Sequence, residues 1–315
     1  MTVRPDWAPS RSRAPDRGAA GLAGPSTAID SKQVRQQQRS FAGIVLDRPR
    51  IMGVVNVTPD SFSDGGEAFL TTAAIDRGRR MLDDGADIID VGGESTRPGA
   101  EAVDAAEECR RVVPVIAALA GDGAVVSVDT RHTEVMEAAL AAGARIVNDV
   151  TALSVETRSL AVVASSAAAV VLMHMQGEPR TMQDAPRYAD AAGEVAAWLA
   201  ARVAACEAAG IARDRIAVDP GICFGKTVDH NIDIIARLSL YRPIGCPLVI
   251  GVSRKSFIGR LGRMEPPKQR LGGSIAAGLA AVAGGADIVR VHDVAETRQA
   301  LAVWQAIAAR QAHCG

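Results

Sequence analysis

Three residues set just after short apolar runs, Asp129, Asn148 and Asp219, offer two carboxylates and a carboxamide. Groups of this kind suit a flat heterocycle with donor and acceptor edges, because a carboxylate takes an amino-substituted ring edge in short, charge-assisted hydrogen bonds. A second set, Arg97, Lys255, Arg290 and His292, is cationic and suits phosphate or carboxylate. A third feature is the stretch NVTPDSFSDGG, residues 56–66, which follows the apolar run IMGVV. It packs Asp60, Asp64, three hydroxyls, an amide and Phe62 into one polar, turn-forming loop.

Taken singly, each residue has a plainer explanation. Asp or Asn after a strand often only caps the next helix. Arg290 could be one half of a salt bridge, and Lys255 a solvated lysine at a helix start. His174, between Met173 and Met175, reads as a packed, hydrogen-bonded histidine. The set is harder to dismiss, since polar groups end every apolar run in the chain. They are Asn56; Glu94 with Ser95, Thr96 and Arg97; Asp129 with Arg131; Asn148 with Asp149; His174; Asp219; Ser253 with Arg254 and Lys255; and Arg290 with His292 and Asp293. A ligand-binding mouth accounts for all of them together.

The elements that would position these groups are legible in the pattern. Eight β-branched runs (IMGVVNV at 51, IIDVGG at 88, VVSVDT at 125, IVNDV at 146, AVVLMHM at 169, IAVDPG at 216, LVIGVS at 248, IVRVHDV at 288) alternate with Ala-rich stretches of helical period. Their near-continuous apolarity suits parallel strands covered on both faces. Several helical stretches end in Gly-Ala before the next run (Gly85-Ala86, Gly143-Ala144, Gly285-Ala286), as a glycine C-cap would. Eight strand–helix units predict a single-domain (β/α)8 TIM barrel over 41–315, with chemistry in the loops after the strand ends. A doubly wound open sheet is the alternative. Residues 1–40, rich in Pro, Gly, Ser, Arg and Gln without apolar period, are expected to form a disordered extension.

Composition narrows the function classes. With 35 basic and 36 acidic residues the net charge is −1, which gives no general attraction to nucleic acid or membrane. The 5 cysteines (Cys109, Cys206, Cys223, Cys246, Cys314) are scattered without CxxC spacing, so a reduced, cytoplasmic setting without structural zinc is expected. No apolar run is long enough to predict a transmembrane helix. The segment DPGICFGKT, 219–227, is one residue short of a P-loop between Gly221 and Gly225, so it predicts a pocket wall from Cys223 and Phe224 rather than a nucleotide site.

With these residues assembled, the chain resembles the dihydropteroate synthase family of pterin-binding enzymes. The matching segments are IMGVVNVTPDSFSDGG, IIDVGGESTRPGA, VSVDT, IVNDV, LMHMQGEPRTMQ, DPGICFGK, GVSRKSFIG and IVRVHDV, in family order across 45–308. The resemblance implies a barrel that condenses 6-hydroxymethyl-7,8-dihydropterin pyrophosphate with 4-aminobenzoate, giving 7,8-dihydropteroate and pyrophosphate. It implies that Asp129, Asn148, Met173, Asp219, Gly251, Lys255 and Arg290 hold the pterin. Phe62, Thr96, Pro98, Phe224, Lys255 and Ser256 would line the aminobenzoate pocket, with Phe62 closing as a lid. Asn56 would bind Mg²⁺, with Asp64 reaching the metal in a closed state. Arg97, Arg290 and His292 would take the pyrophosphate, so that the groups doing chemistry are Asp64, Thr96, Arg97, Lys255, Arg290 and His292. The family is homodimeric through its last helices. One departure falls inside a motif, where Ile222-Cys223 stands in place of the more usual bulky apolar residue and glycine. A pterin-binding methyltransferase barrel would explain Asp129, Asn148 and Asp219, but it has little use for ESTRPG or for the Arg290–His292 pair.

Overall fold

The computed structural model describes residues 39–58, 67–94, 103–178 and 180–314. Arg39 and Ser40, placed in the extension on sequence grounds, belong to the barrel unit; residues 1–38 lie outside the described residues. A short hairpin comes first, β1 (Ser40–Phe41) pairing antiparallel with β2 (Ile44–Val45). The eight sequence-predicted runs then form β3 (Arg50–Asn56), β4 (Ile88–Gly92), β5 (Val126–Asp129), β6 (Ile146–Asp149), β7 (Ala169–Met173), β8 (Ile216–Asp219), β9 (Val249–Ile250) and β10 (Ile288–Val291). Helices separate them: α1 (Glu67–Asp83), α2 (Ala105–Gly121), α3 (Thr133–Ala141), α4 (Ser159–Ser165), α5 (Ala191–Ala208) and α6 (Val228–Ala236). The set ends with α7 (Ser256–Leu261), α8 (Leu271–Gly284) and α9 (Val294–Cys314).

All eight strands are parallel, in the order β8-β7-β6-β5-β4-β3-β10-β9. A parallel bridge between Val218 and Leu248 brings β8 back to the leading edge of β9, so the sheet closes as a (β/α)8 barrel and not as an open doubly wound sheet. Strand side chains alternate between two faces, and each face builds its own core. One cluster joins outward residues such as Ile51, Ile89, Val128 and Val147 to the buried stripes of the helices, for example Val112, Val115 and Leu119 of α2. The other joins Met52, Ile88, Ile146, Ala169, Ala217 and Ile288, which therefore face the barrel interior. Phe41, 1% exposed, joins this inner cluster and plugs the base of the barrel. The interior is thus packed shut below and polar above, where the strands end.

The predicted Gly-Ala returns are present. Gly85, Gly143 and Gly285 all have φ near +100°, at 98°, 105° and 106°, and the alanine after each donates back into the last helical turn. Side-chain caps set the other ends: Asp104 accepts from Glu107 N–H at the start of α2, and Thr227 forms a capping box with His230 on α6.

One buried glycine serves neither purpose. Gly278 lies inside α8, and a Cβ built there meets nothing within 4 Å. It faces a small apolar space between α8 and α9, also lined by Leu279, Val291 and Leu301. Gly278→Ala is expected to raise stability by about 1 kcal/mol, from helix propensity and the filled gap together, or a few degrees in Tm. Calorimetry showing no rise would mean that α8 needs the glycine for close approach to something else.

Candidate active site

The polar layer at the strand ends is organised around Arg290 of β10. Its Nε donates to Asp90 at 2.6 Å and its Nη2 to Asp129 at 2.6 Å. The Asn148 amide nitrogen donates to the same Asp90 oxygen at 3.0 Å. Strand register accounts for this convergence: Asp129 pairs with Gly92 on one side and with Asn148 on the other.

Asp219 and Lys255 complete the ring. Asp219 accepts the N–H of Gly221 at 2.7 Å on one oxygen. Lys255 donates to the Ile222 carbonyl at 2.6 Å and lies 4.9 Å from the centroid of the Phe224 ring. Gly251 sits against both cations, with Lys255 Nζ 3.6 Å and Arg290 Cβ 3.8 Å from its would-be Cβ. Met173 is buried and is the register partner of Asp219. The predicted pterin set, Asp129, Asn148, Met173, Asp219, Gly251, Lys255 and Arg290, is therefore brought together in the barrel mouth.

The electrostatics are those of desolvated charges sharing few partners. Burial pushes Asp129 up to about 7; Arg290 pulls the other way, and Asp90 adds to the rise. Burial also raises Asp219, against the attraction of Lys255. It lowers Lys255, against the attraction of Asp219. For Arg290 burial opposes the charge, but Asp90 and Asp129 outweigh it and hold the guanidinium firmly protonated. Such a pocket gains from a ligand that brings donors to the carboxylates.

Beside this pocket lies a cationic corner. His292 shares Ser253 Oγ as a partner of its Nδ1 at 3.1 Å. Burial, with Arg290, Arg254 and Arg77 close by, pulls it down to about 3. Arg254 forks onto Asp293 and has φ 60°, with its backbone N–H held by Ser274 Oγ at 2.8 Å. Asn56 ends β3, half-buried, in register with Gly92. Ser256 opens α7 with its hydroxyl 3.7 Å from Cys223 Sγ, and Phe224 stands half-buried below Lys255. The remaining predicted residues, Phe62, Asp64, Thr96, Arg97 and Pro98, lie outside the described residues.

Several strand-end residues turn out to be structural. Asp149 accepts from Thr151 N–H at 2.7 Å and Leu153 N–H at 2.8 Å, so it shapes the turn after β6. Arg131 forks onto Glu94 at 3.0 Å on both arms. Glu94, Glu108 and His132 have ligand-type atoms within 4.8 Å of one another, but Glu94 is committed to Arg131 and Glu108 to Thr130 and His132. His174 is packed, as expected: it is 7% exposed, lies edge-on to Trp198, and burial pulls it down to about 3.

Two residues escaped the sequence reading. Asp90 sits in the middle of the run IIDVG, where an inward acid is the only signal that a charged partner crosses the barrel. Lys226, noticed only as part of a near P-loop, is 2% exposed. Its ammonium bonds His174 Nδ1 at 3.0 Å, the His174 carbonyl at 3.3 Å and the Phe224 carbonyl at 2.9 Å, which pins the loop carrying Phe224 to the end of β7. Burial brings Lys226 down to about 7, against Asp219. The motif departure also has a structural side, because Cys223 has φ 69°, the left-handed region in which glycine is the unstrained residue.

Comparison with known proteins shows the family. The family model described as "Pterin binding enzyme" matches residues 52–292. The dihydropteroate synthase of Neisseria meningitidis serogroup C is 52% identical over 267 residues, covering 84% of this chain and 94% of that protein. That of Escherichia coli K12 is 47% identical over 262 residues, covering 83% and 92%. Among solved structures, the Xanthomonas albilineans dihydropteroate synthase with 4-aminobenzoic acid superposes with a TM-score of 0.80 at 50% identity, covering 85% of this chain and 97% of that one. A complex of the enzyme from the same organism with 7,8-dihydropteroate gives a TM-score of 0.77 at 47% identity, covering 84% and 96%. The chain belongs to the pterin-binding enzyme family, among its dihydropteroate synthases.

Proposed function

We infer that the chain is a transferase of folate biosynthesis that condenses 6-hydroxymethyl-7,8-dihydropterin pyrophosphate with 4-aminobenzoate, releasing 7,8-dihydropteroate and pyrophosphate. The observation that carries this reading is the ring of Asp129, Asn148, Asp219 and Lys255 around Arg290, beside a corner holding His292. The acids and the amide take the ring edge of the pterin, and Arg290 lies against it with its charge secured by two carboxylates. The pyrophosphate falls toward His292, with Arg97 as a further donor on the strength of the family resemblance.

Pyrophosphate leaves once its charge is neutralised, and Arg290, His292 and Arg97 supply donors for that. Departure leaves a cation on the exocyclic methylene, which the electron-rich dihydropterin and the nearby carboxylates stabilise. The aromatic amine is neutral and attacks the methylene without a strong base, and the proton it sheds once the C–N bond has formed passes to the departing pyrophosphate or to solvent. Holding both partners and keeping water away is then the main task of the protein. Phe224 and Ser256 are the described part of the aminobenzoate wall, to which the family resemblance would add Thr96, Pro98 and, as lid, Phe62. Lys255, hydrogen-bonded to the Ile222 carbonyl, acts as a donor and a charge, not as a Schiff base.

Mg²⁺ fits as a metal carried in with the substrate. The ion takes oxygen ligands, often one or two from protein and the rest from phosphate and water. Asn56, with its amide at the end of β3, would hold it together with Asp64. When bound, the ion adds charge neutralisation at the leaving group. The assay that tests the whole reading is pyrophosphate release from the pterin substrate. Release that needs both 4-aminobenzoate and Mg²⁺ is expected; release indifferent to the amine would overturn the condensation.

The cationic corner makes a second prediction. An anion beside His292 offsets the repulsion of Arg290, Arg254 and Arg77, so its pKa rises from about 3 toward the ordinary range. Binding of sulfate is therefore expected to take up protons on the acid side, since burial, the larger cause, still holds the imidazole below its ordinary range, and to weaken as pH rises. Calorimetry in buffers of different ionisation heat would show this uptake, and His292→Asn would remove it. Equal uptake in the variant would place the anion elsewhere.

We also propose a homodimer through the last helices, supported by the exposed Val303 and Ile307 one turn apart on α9 and by the exposed Leu261 at the end of α7 with Met264 just beyond it. A cytoplasmic setting is supported by free Cys109, Cys206, Cys223 and Cys246. No described helix is long and apolar enough to cross a membrane.

A further inference from the structure

Asp90 is fully buried in the second inward layer of the barrel, and only one of its oxygens is used. That oxygen accepts both Arg290 Nε and the Asn148 amide nitrogen. The other, Oδ1, has no partner, and Ser127, its register partner on β5, likewise has a buried hydroxyl without one. A desolvated half-carboxylate opposes folding, and a buried ion pair is on the whole a weak source of stability. Its presence is better explained by what it does to the two residues it touches.

A carboxylate only accepts, whereas a carboxamide has one accepting and one donating end. Next to Asp90 the Asn148 amide has a single favourable orientation, nitrogen toward the acid and oxygen toward the pocket. Arg290 is fixed in the same way, with Nε committed to Asp90 and Nη2 to Asp129. Asp129 and Asp219 each have one oxygen engaged, by Arg290 and by Gly221 N–H respectively. The pocket therefore presents acceptors: the second oxygens of Asp129 and Asp219, and the carbonyl of Asn148. This pattern selects a ring edge made of N–H donors.

We propose that Asp90 is a positioning residue of the pterin pocket, which locks Asn148 with its carbonyl toward the ligand and holds Arg290 in place, so that the pocket selects a donor-rich ring edge. The inference rests on the pterin reading of the pocket given above. An asparagine at 90 can donate or accept, which frees the Asn148 amide to turn over.

The test is calorimetric binding of 6-hydroxymethylpterin, with sulfate binding measured alongside. Asp90→Asn is expected to weaken the pterin at least tenfold and sulfate, which shares Arg290 but keeps His292, by a clearly smaller factor. The exchanged pair, Asp90→Asn with Asn148→Asp, keeps a donor–acceptor contact and an oxygen facing the pocket, and is expected to recover pterin binding to within about threefold of the parent. Unchanged pterin binding in Asp90→Asn, equal loss of pterin and sulfate, or no recovery in the exchanged pair would each overturn the proposal. If Asp90→Asn does not fold, the exchanged pair alone decides; if neither folds, Asp90 is a determinant of the fold and the proposal fails. Asp129→Ala serves as the control. If that variant binds pterin normally, the pocket assignment itself fails. If it loses pterin while Asp90→Asn does not, only the role of Asp90 is lost.

Discussion

Asp129→Ala is expected to abolish pterin binding and to make the stability of the barrel less dependent on pH. Two charge-assisted hydrogen bonds to a ring edge, at roughly 1.5–3 kcal/mol each, amount to a loss of more than a hundredfold. The variant also frees Arg290 Nη2, which in the parent is held at 2.6 Å by Asp129, so the cation that should lie against the ring loses half of its fixing. Stability gains a pH dependence from this group, because burial lifts the Asp129 carboxyl from 3.8 to about 7. A folded-state pKa above the unfolded value means the group's contribution is fully present below about 3.8 and is lost as pH rises through about 7. The stability of the parent relative to the variant should therefore decline across that window. Calorimetric titration with a pterin and denaturant unfolding at pH 5 and pH 8 check both halves. Pterin affinity within threefold of the parent would remove the pocket from the barrel mouth.

A second large effect is expected at a residue that carries no charge of its own. Gly221 follows Asp219-Pro220 at the end of β8, has φ +69°, and comes so close to β7 that a Cβ would stand 2.0 Å from the His174 carbonyl oxygen. Backbone cannot yield that much, so Gly221→Ala must push the loop outward. The displacement breaks the Gly221 N–H bond to Asp219 and carries away Ile222, whose carbonyl holds Lys255. It also strips Lys226 of the Phe224 carbonyl. We expect a loss of activity of at least a hundredfold with destabilisation of several kcal/mol, since steric strain, hydrogen bonds and a buried ammonium are all affected. Activity within tenfold of the parent would show that the loop has slack that its contacts do not reveal.

Much of the candidate site was legible in the chain because polar residues end otherwise apolar strands, and a parallel barrel delivers strand ends to one face. Asp129, Asn148, Asp219 and Lys255 could be picked out for that reason. The same rule over-selected. Asp149 and Arg131 stand at strand ends too, yet one shapes a turn and the other pairs with Glu94, as a capping role for such residues would suggest. It also missed Asp90, which sits mid-strand, and Lys226, whose burial depends on how the loop after β8 folds against β7. Arg290 was read as either an anion binder or a salt-bridge partner, and geometry shows that the salt bridges are what aim it.

By itself the sequence determined the repeating frame: eight runs, their order, the glycine returns between them and the face on which chemistry gathers. Those are local properties, set by side-chain period, backbone freedom and capping. Only the tertiary structure decided closure, through the Val218–Leu248 bridge, and the plug that Phe41 drives into the base. It alone decided which acids share Arg290. Asp90 and Asp129 lie 200 and 161 residues from it in the chain, and no local pattern encodes a contact that exists only once the sheet has curled round on itself.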